Sequence, residues 1–121
     1  MSGQRVERVG RQILQEVSSI VERVLADPRL TLVTFTRVQM TPDLRQARVY
    51  FSCLEGAAGK DRCEGALVHA SGLLRRELGR RLRLRYVPEL RFVFDDSFER
   101  AARINALLAA KPGSGPKKDG G

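Results

Sequence analysis

Apolar residues return at three- and four-residue steps through the first part of the chain. Val6, Val9, Ile13, Val17, Ile20 and Val24 fall on one face, and Leu14, Val21 and Leu25 widen it. Arg5, Arg8, Arg11, Gln12, Gln15, Glu16 and Glu22 mostly fill the other side. This period predicts an amphipathic helix of about five turns at 3.6 residues per turn. Asp27-Pro28 stops it, because a residue before proline is pushed out of the helical region. The pattern then changes. Leu32 to Met40 is rich in Thr, Val and Phe and reads as a strand. Thr41-Pro42-Asp43 marks a turn. From Arg45 to Leu54, Ala47, Val49, Phe51 and Cys53 alternate with Gln46, Arg48, Tyr50 and Ser52, a strand with one apolar and one polar face. The short connection makes the two strands an antiparallel hairpin.

Glu55 to Lys60 reads as a glycine loop, and helical spacing resumes near Asp61. Ala66, Leu67, Ala70, Leu73, Leu74, Leu78 and Leu82 form the core side of this second helix. Gly72 falls inside the pattern at a cost of about 1 kcal/mol against alanine. Accepting that cost suggests a kink or a close approach by another backbone; the plainer alternative is a tolerated glycine. Gly79 weakens the second half further. Val87-Pro88 breaks the chain again, and Leu90, Phe92 and Phe94 alternate with Arg91 and Val93 in a third strand. Asp95-Asp96-Ser97 are helix-start residues. Phe98, Ala101, Ile104, Leu107 and Leu108 extend a final helix to about Ala110. From Lys111 the Pro/Gly/Lys-rich tail has no apolar anchor and is expected to be disordered. The order of elements predicts one α+β domain over residues 1–110. Its three strands are covered on one face by helices, and the other face is polar and exposed.

Composition adds a partner class. With 121 residues the chain is one domain in length, and 42% hydrophobic content is enough for a core. The net charge of +8 exceeds what solubility requires and implies a phosphate-binding term. Eighteen of the 22 basic residues are arginine, whose planar fork grips phosphate with two donors. The cluster is local: seven Arg and only two Glu lie between Arg75 and Arg91. A solvated helix face is the bland reading of such a run, but the scarcity of counter-charges favours a polyanion. The candidate phosphate contacts are Arg75, Arg76, Arg80, Arg81, Arg83 and Arg85, extended by Arg37, Arg45 and Arg48 on or beside the hairpin. There is no Trp, so Tyr50 and Tyr86 leave base stacking a minor term; Phe35, Phe51, Phe92, Phe94 and Phe98 are expected in the core.

Other chemistries find little support. Cys53 and Cys63 show no CxxC spacing and read as reduced thiols. His69 is the only histidine and reads as a structural or surface residue, so no metal site is expected. Asp95 and Asp96 are explained by helix capping before magnesium binding. Gly56 and Gly59 match the GxxG spacing of a KH nucleotide clamp, but they follow a strand rather than joining two helices, so an ordinary loop is expected. No segment approaches the ~20 apolar residues of a membrane span. The start carries Glu7 and no apolar signal core, which makes the cytoplasm the expected location.

Six stretches taken together resemble the bacterial ribosome-binding factor A family. They are Asp27-Pro28-Arg29-Leu30, Val38 to Leu44, Ala47-Arg48-Val49-Tyr50, Ala70-Ser71-Gly72, Leu82 to Leu90, and Phe92 to Ser97. The resemblance covers roughly residues 5–108. It implies a type II KH-like fold in which an interhelical kink at Ala70, Ser71 and Gly72 replaces GxxG. It also implies a non-catalytic assembly factor without a cofactor. Such a factor binds the small (30S) ribosomal subunit and assists late 16S rRNA maturation near the 5′ end and the decoding region, with a link to cold adaptation. A monomer is expected, given the absence of a spare apolar helix face. Two other readings stand beside this one: a general KH-like RNA-binding module, and a protein-interaction subunit using the hairpin edge or the N-terminal helix. The short, glycine-rich tail departs from longer family members.

Overall fold

The computed structural model describes residues 2–25 and 27–110; the tail expected to be disordered lies outside them. The chain runs α1 (Ser2–Arg23), a 3-10 turn (Pro28–Leu30), β1 (Val33–Met40), β2 (Gln46–Cys53), a second 3-10 turn (Gly56–Gly59), α2 (Lys60–Leu82), β3 (Glu89–Phe94) and α3 (Ser97–Ala110). This is the expected single α+β domain. The loop reading of Gly56 and Gly59 also holds, since they bound a 3-10 turn between a strand and a helix.

α1 buries the stripe its spacing predicted, with Val9, Ile13, Val17, Ile20 and Val21 all inside. It is longer than five turns, and it ends before Val24, which is exposed. The Asp27 carboxylate then accepts the Arg29 N–H and caps the turn that Pro28 begins. Gly10 allows α1 to lie close to the sheet, because a Cβ there would come within 3.0 Å of the Val38 carbonyl oxygen.

The sheet order is β1-β2-β3. β1 and β2 form the expected antiparallel hairpin. β2 and β3 run parallel, which requires a crossover, and α2 supplies it. Ala47, Val49 and Phe51 of β2 are completely buried, flanked by buried Met40, Leu90 and Phe92. Phe51 meets Phe94 edge to face at 5.8 Å. α1 and α2 both cover this face, so the opposite face is open among the described residues.

β1 breaks its own alternation. Phe35 pairs with Phe51, but the next partner pair is Arg37 with Tyr50, leaving Thr36 as a bulge. The extra residue brings Val38 and Met40 back to the core and turns Arg37 to the open face. The Thr36 hydroxyl donates to Asp95 Oδ2 at 2.7 Å. The other oxygen of Asp95 accepts the Ser97 N–H at 2.9 Å, which starts α3 as the capping reading expected. Thr36 first, and then Ser97, hold the Asp95 carboxyl down to about 2.

Ala70-Ser71-Gly72 lies within one helix of 23 residues, where the Ser71 hydroxyl donates to the Val68 carbonyl at 2.8 Å. A Cβ on Gly72 would meet nothing within 4 Å, so no other backbone approaches there. The close approach is at Gly79, where a Cβ would lie 2.7 Å from Val87 Cγ2. One expectation, that of α3, needs correction. Phe98 is 80% exposed, and Ile104, Leu107 and Leu108 are exposed too, so this helix does not cover the sheet and Phe98 is not core. The expectation of a monomer rested on the absence of such a face, and that ground fails.

Gly72→Ala is therefore expected to raise stability by about 0.5–1 kcal/mol through helix propensity. Gly79→Ala is expected to lower stability despite the same gain, because Val87 must move; urea melts of both variants check the contrast. Asp95 has a lowered folded-state pKa, so its contribution is complete above its unfolded value and is lost as pH falls through about 2. The stability deficit of Thr36→Val, measured across a pH series, is expected to be constant near neutrality and to shrink below about pH 4.

Candidate nucleic-acid interface

The nine candidate arginines do not form one surface. Seven of them separate into three groups, set by the elements that carry them, and two are bonded to the protein itself. The first lies on the open sheet face. Cross-strand register places Arg48 between Gln39 on β1 and Arg91 on β3. The adjacent row is Arg37, Tyr50 and Val93. Arg37, Arg48 and Arg91 are all exposed. The Arg37 guanidinium lies 4.0 Å from the Tyr50 ring centroid, and the Tyr50 hydroxyl donates to Gln39 Oε1 at 3.3 Å. Arg48 directly opposite Arg91 is a like-charge pair, which opposes folding unless an anion is present. Glu89 relieves it only weakly, at 3.8 Å from Arg91.

The second group follows α2. Arg76 and Arg80 share a helix face at i,i+4 spacing, and both are exposed. Arg80 pairs with Glu77 at 2.5 Å, and this bond is the main reason the Glu77 carboxyl titrates below its ordinary range. Arg83 ends the helix in the left-handed region, at φ 51°.

Arg75 and Arg81, though part of the same run, bond to the protein itself, Arg75 while exposed and Arg81 half-buried. Arg75 donates from Nε to the Pro88 carbonyl and from Nη2 to the Val87 carbonyl, both at 3.1 Å. It thereby pins the segment between α2 and β3. Arg81 donates to Glu16 at 3.1 Å and to Ser19 at 3.4 Å, and lies 3.5 Å from Glu77. It ties α2 to α1. These geometries commit both guanidiniums to protein acceptors.

The third group is Arg45 and Arg85, which meet around a cavity beside the β1–β2 turn, together with Arg5. Sequence reasoning did not select Arg5 or Arg91. The signal for Arg91 was present: it alternates with Leu90 and Phe92, so it had to share the face of Arg48. Among the described residues no group of three or more His, Cys, Asp or Glu side chains is placed to hold a metal ion. His69 is exposed on α2. Cys63 is buried and Cys53 half-buried; burial, then the neighbouring Cys63, pushes the Cys53 thiol up to about 12, which keeps it protonated. No described helix is long and apolar enough to cross a membrane.

Residues 5–108 match the family described as Ribosome-binding factor A. A ribosome-binding factor A of Thioalkalivibrio sulfidiphilus is 47% identical over 105 residues, covering 86% of this chain and 81% of its own. Another, of Acetivibrio thermocellus, is 43% identical over 106 residues, covering 87% of this chain and 86% of its own. The crystal structure of ribosome-binding factor A from Thermus thermophilus superposes with a TM-score of 0.66 at 28% identity, over 74% of this chain and 93% of that one. A homology model of the Thermus thermophilus factor, fitted into a cryo-electron-microscopy map of a 30S complex, gives a TM-score of 0.63 at 27% identity, over 75% of this chain and 96% of that one.

The division among the arginines predicts different outcomes for neighbouring substitutions. Arg81→Glu would place a third carboxylate beside Glu16 and Glu77 and is expected to lose on the order of 2 kcal/mol. Arg76→Glu is expected to stay within about 0.5 kcal/mol of the parent, as exposed substitutions do. Chemical denaturation of the two variants distinguishes them.

Proposed function

Since this chain belongs to the ribosome-binding factor A family, we propose that it binds the free 30S subunit and assists late 16S rRNA maturation without catalysing a reaction. The observation that carries the binding surface is the open sheet face. Three arginines from three strands point the same way there, with Arg48 opposite Arg91 and little acid to neutralise them. Arg76, Arg80 and Arg83 add a second line of donors along α2 and its end. Contacts of this kind orient a protein on RNA without reading sequence.

A binding factor changes an RNA only through a difference in affinity between its conformations. This chain would hold one arrangement of the rRNA near the 5′ end and the decoding region better than its competitors. That need grows in the cold, where wrong RNA pairings persist. Release falls to another factor, such as a GTPase, or to completion of the subunit. The same reading puts its site of action in the cytoplasm, with the subunit it is proposed to bind. The protein-interaction reading keeps one point in its favour, the exposed apolar side of α3; the N-terminal helix is no longer available to it, because its apolar stripe is buried.

The test is co-sedimentation with purified immature and mature 30S subunits across a salt series with excess tRNA. Saturable binding that resists tRNA, weakens with salt and favours the immature form is the expected result. Arg37→Glu with Arg48→Glu is expected to reduce that binding at least tenfold while the domain stays folded. Readily displaced binding would instead indicate a general RNA-binding module, and binding that survives RNase would indicate a protein partner.

A further inference from the structure

The cavity that gathers Arg5, Arg45 and Arg85 is distinct from the sheet face and from the arginines of α2. Its volume is about 580 Å³, within the roughly 300–1,000 Å³ of small-ligand sites. Its walls are apolar: Val9 from α1, Met40 from β1, Leu44 from the hairpin turn, and Leu84 and Pro88 from the segment before β3. Tyr86 stands at its border with 74% of its surface exposed, and the Arg85 guanidinium lies 5.6 Å from its ring centroid. The two tyrosines therefore differ. Tyr50 is half-buried with Arg37 close over its ring, whereas Tyr86, with Arg85 farther off, keeps most of its surface exposed beside the cavity.

The cavity is held in shape by three independent ties. The Glu89 N–H donates to the Arg45 carbonyl at 2.8 Å, joining the hairpin turn to the start of β3. Arg75 grips the Val87 and Pro88 carbonyls from α2. The Thr41 hydroxyl and the Arg45 N–H both donate to Asp43 Oδ1, at 2.7 and 3.0 Å, fixing the turn. Among the described residues two non-glycine residues lie in the left-handed region: Leu44, at φ 62°, lines the hole, and Arg83, at φ 51°, is the chain neighbour of the lining residue Leu84. Such backbone is held only where surrounding structure requires it.

An apolar slot with an open aromatic ring and three guanidiniums around it fits one kind of occupant. We propose that this cavity captures an unpaired nucleobase of single-stranded RNA, stacked against Tyr86, with the flanking phosphates on Arg5, Arg45 and Arg85. Asp43 is the only acid among the described residues that line the cavity. Its Thr41 and Arg45 bonds keep it ionised, and Oδ2 accepts no hydrogen bond from the described residues. A carboxylate there repels phosphate and accepts from an exocyclic amino group, which suits a base bearing one. The capture rests on the ribosome-binding reading, and it adds a contact to single-stranded rRNA that duplex-tracking arginines do not provide. It also revises the expectation that stacking is minor.

The chain has no Trp, so its intrinsic fluorescence comes from Tyr50 and Tyr86 alone. In a Tyr50→Phe protein the signal reports Tyr86. Short single-stranded oligoadenylate is expected to quench it, and a duplex of equal charge is expected to bind without quenching. Tyr86→Ala, at an exposed position, leaves the fold intact and is expected to weaken oligoadenylate binding about tenfold, the scale of one base–aromatic stack, and to weaken 30S binding in the same direction, while leaving duplex binding unchanged. Quenching by the duplex as strong as by the single strand, or oligoadenylate affinity unmoved by Tyr86→Ala, overturns the proposal while the ribosome-binding reading stands. An acidic peptide that displaces the oligonucleotide and binds tighter overturns it in favour of a protein ligand. Failure of oligoadenylate, duplex and 30S alike overturns both.

Discussion

β2 is bonded to a strand on each side and buried on one face under two helices. Ala47, Val49 and Phe51 have no exposed surface, and truncating the largest, Phe51, would cost roughly 3–5 kcal/mol. A side-chain period of two then leaves no choice for the residues between them. Gln46, Arg48 and Tyr50 must face away from the helices, and the register carries this rule across to Gln39 and Arg37 on one side and to Glu89, Arg91 and Val93 on the other. The charged face is thus a consequence of where the core lies.

The bulge at Thr36 shows how closely core and charge are coupled. Without the extra residue, strict alternation from Phe35 would send Arg37 toward the helices and Val38 toward water. With it, Val38 and Met40 return to the core and Arg37 joins Tyr50 on the open face. The residue left over is not idle, since its hydroxyl bonds to Asp95 beyond β3. One irregularity therefore corrects the packing, sets an arginine and fixes the start of α3.

Arginine has two uses in this molecule, and they compete for the same run of sequence. Arg75 and Arg81 are internal ties, one holding the Val87-Pro88 segment and the other joining α2 to α1. Arg76 and Arg80, each one residue away from a tie, face water. A helix advances 100° per residue, so adjacent arginines cannot do the same work. The basic character of this stretch is partly structural, and less of it is free for RNA than the charge count suggests. The cavity beside the hairpin depends on the structural share, because Arg75 holds one of its walls.

The sequence determined the elements, their order, the antiparallel hairpin and most of the core, because those follow from local period and turn chemistry. Val9, Ile13, Val17 and Ile20 announced α1, and Ala47, Val49 and Phe51 announced β2. It also carried the family and the arginine excess. What it left open depended on which side of a neighbour each residue meets. The glycine that matters for close packing is Gly79 against Val87, not Gly72, because a segment distant along the helix turns back onto it. Phe98 reads as core by type, yet α3 leaves the sheet and nothing described covers it. Arg75 and Arg76 are identical letters, and only the position of the Val87 and Pro88 carbonyls separates a brace from a free guanidinium. The meeting of Arg5, Arg45 and Arg85 at one cavity joins residues far apart in the chain, and that convergence exists only once β3 has paired with β2 in parallel.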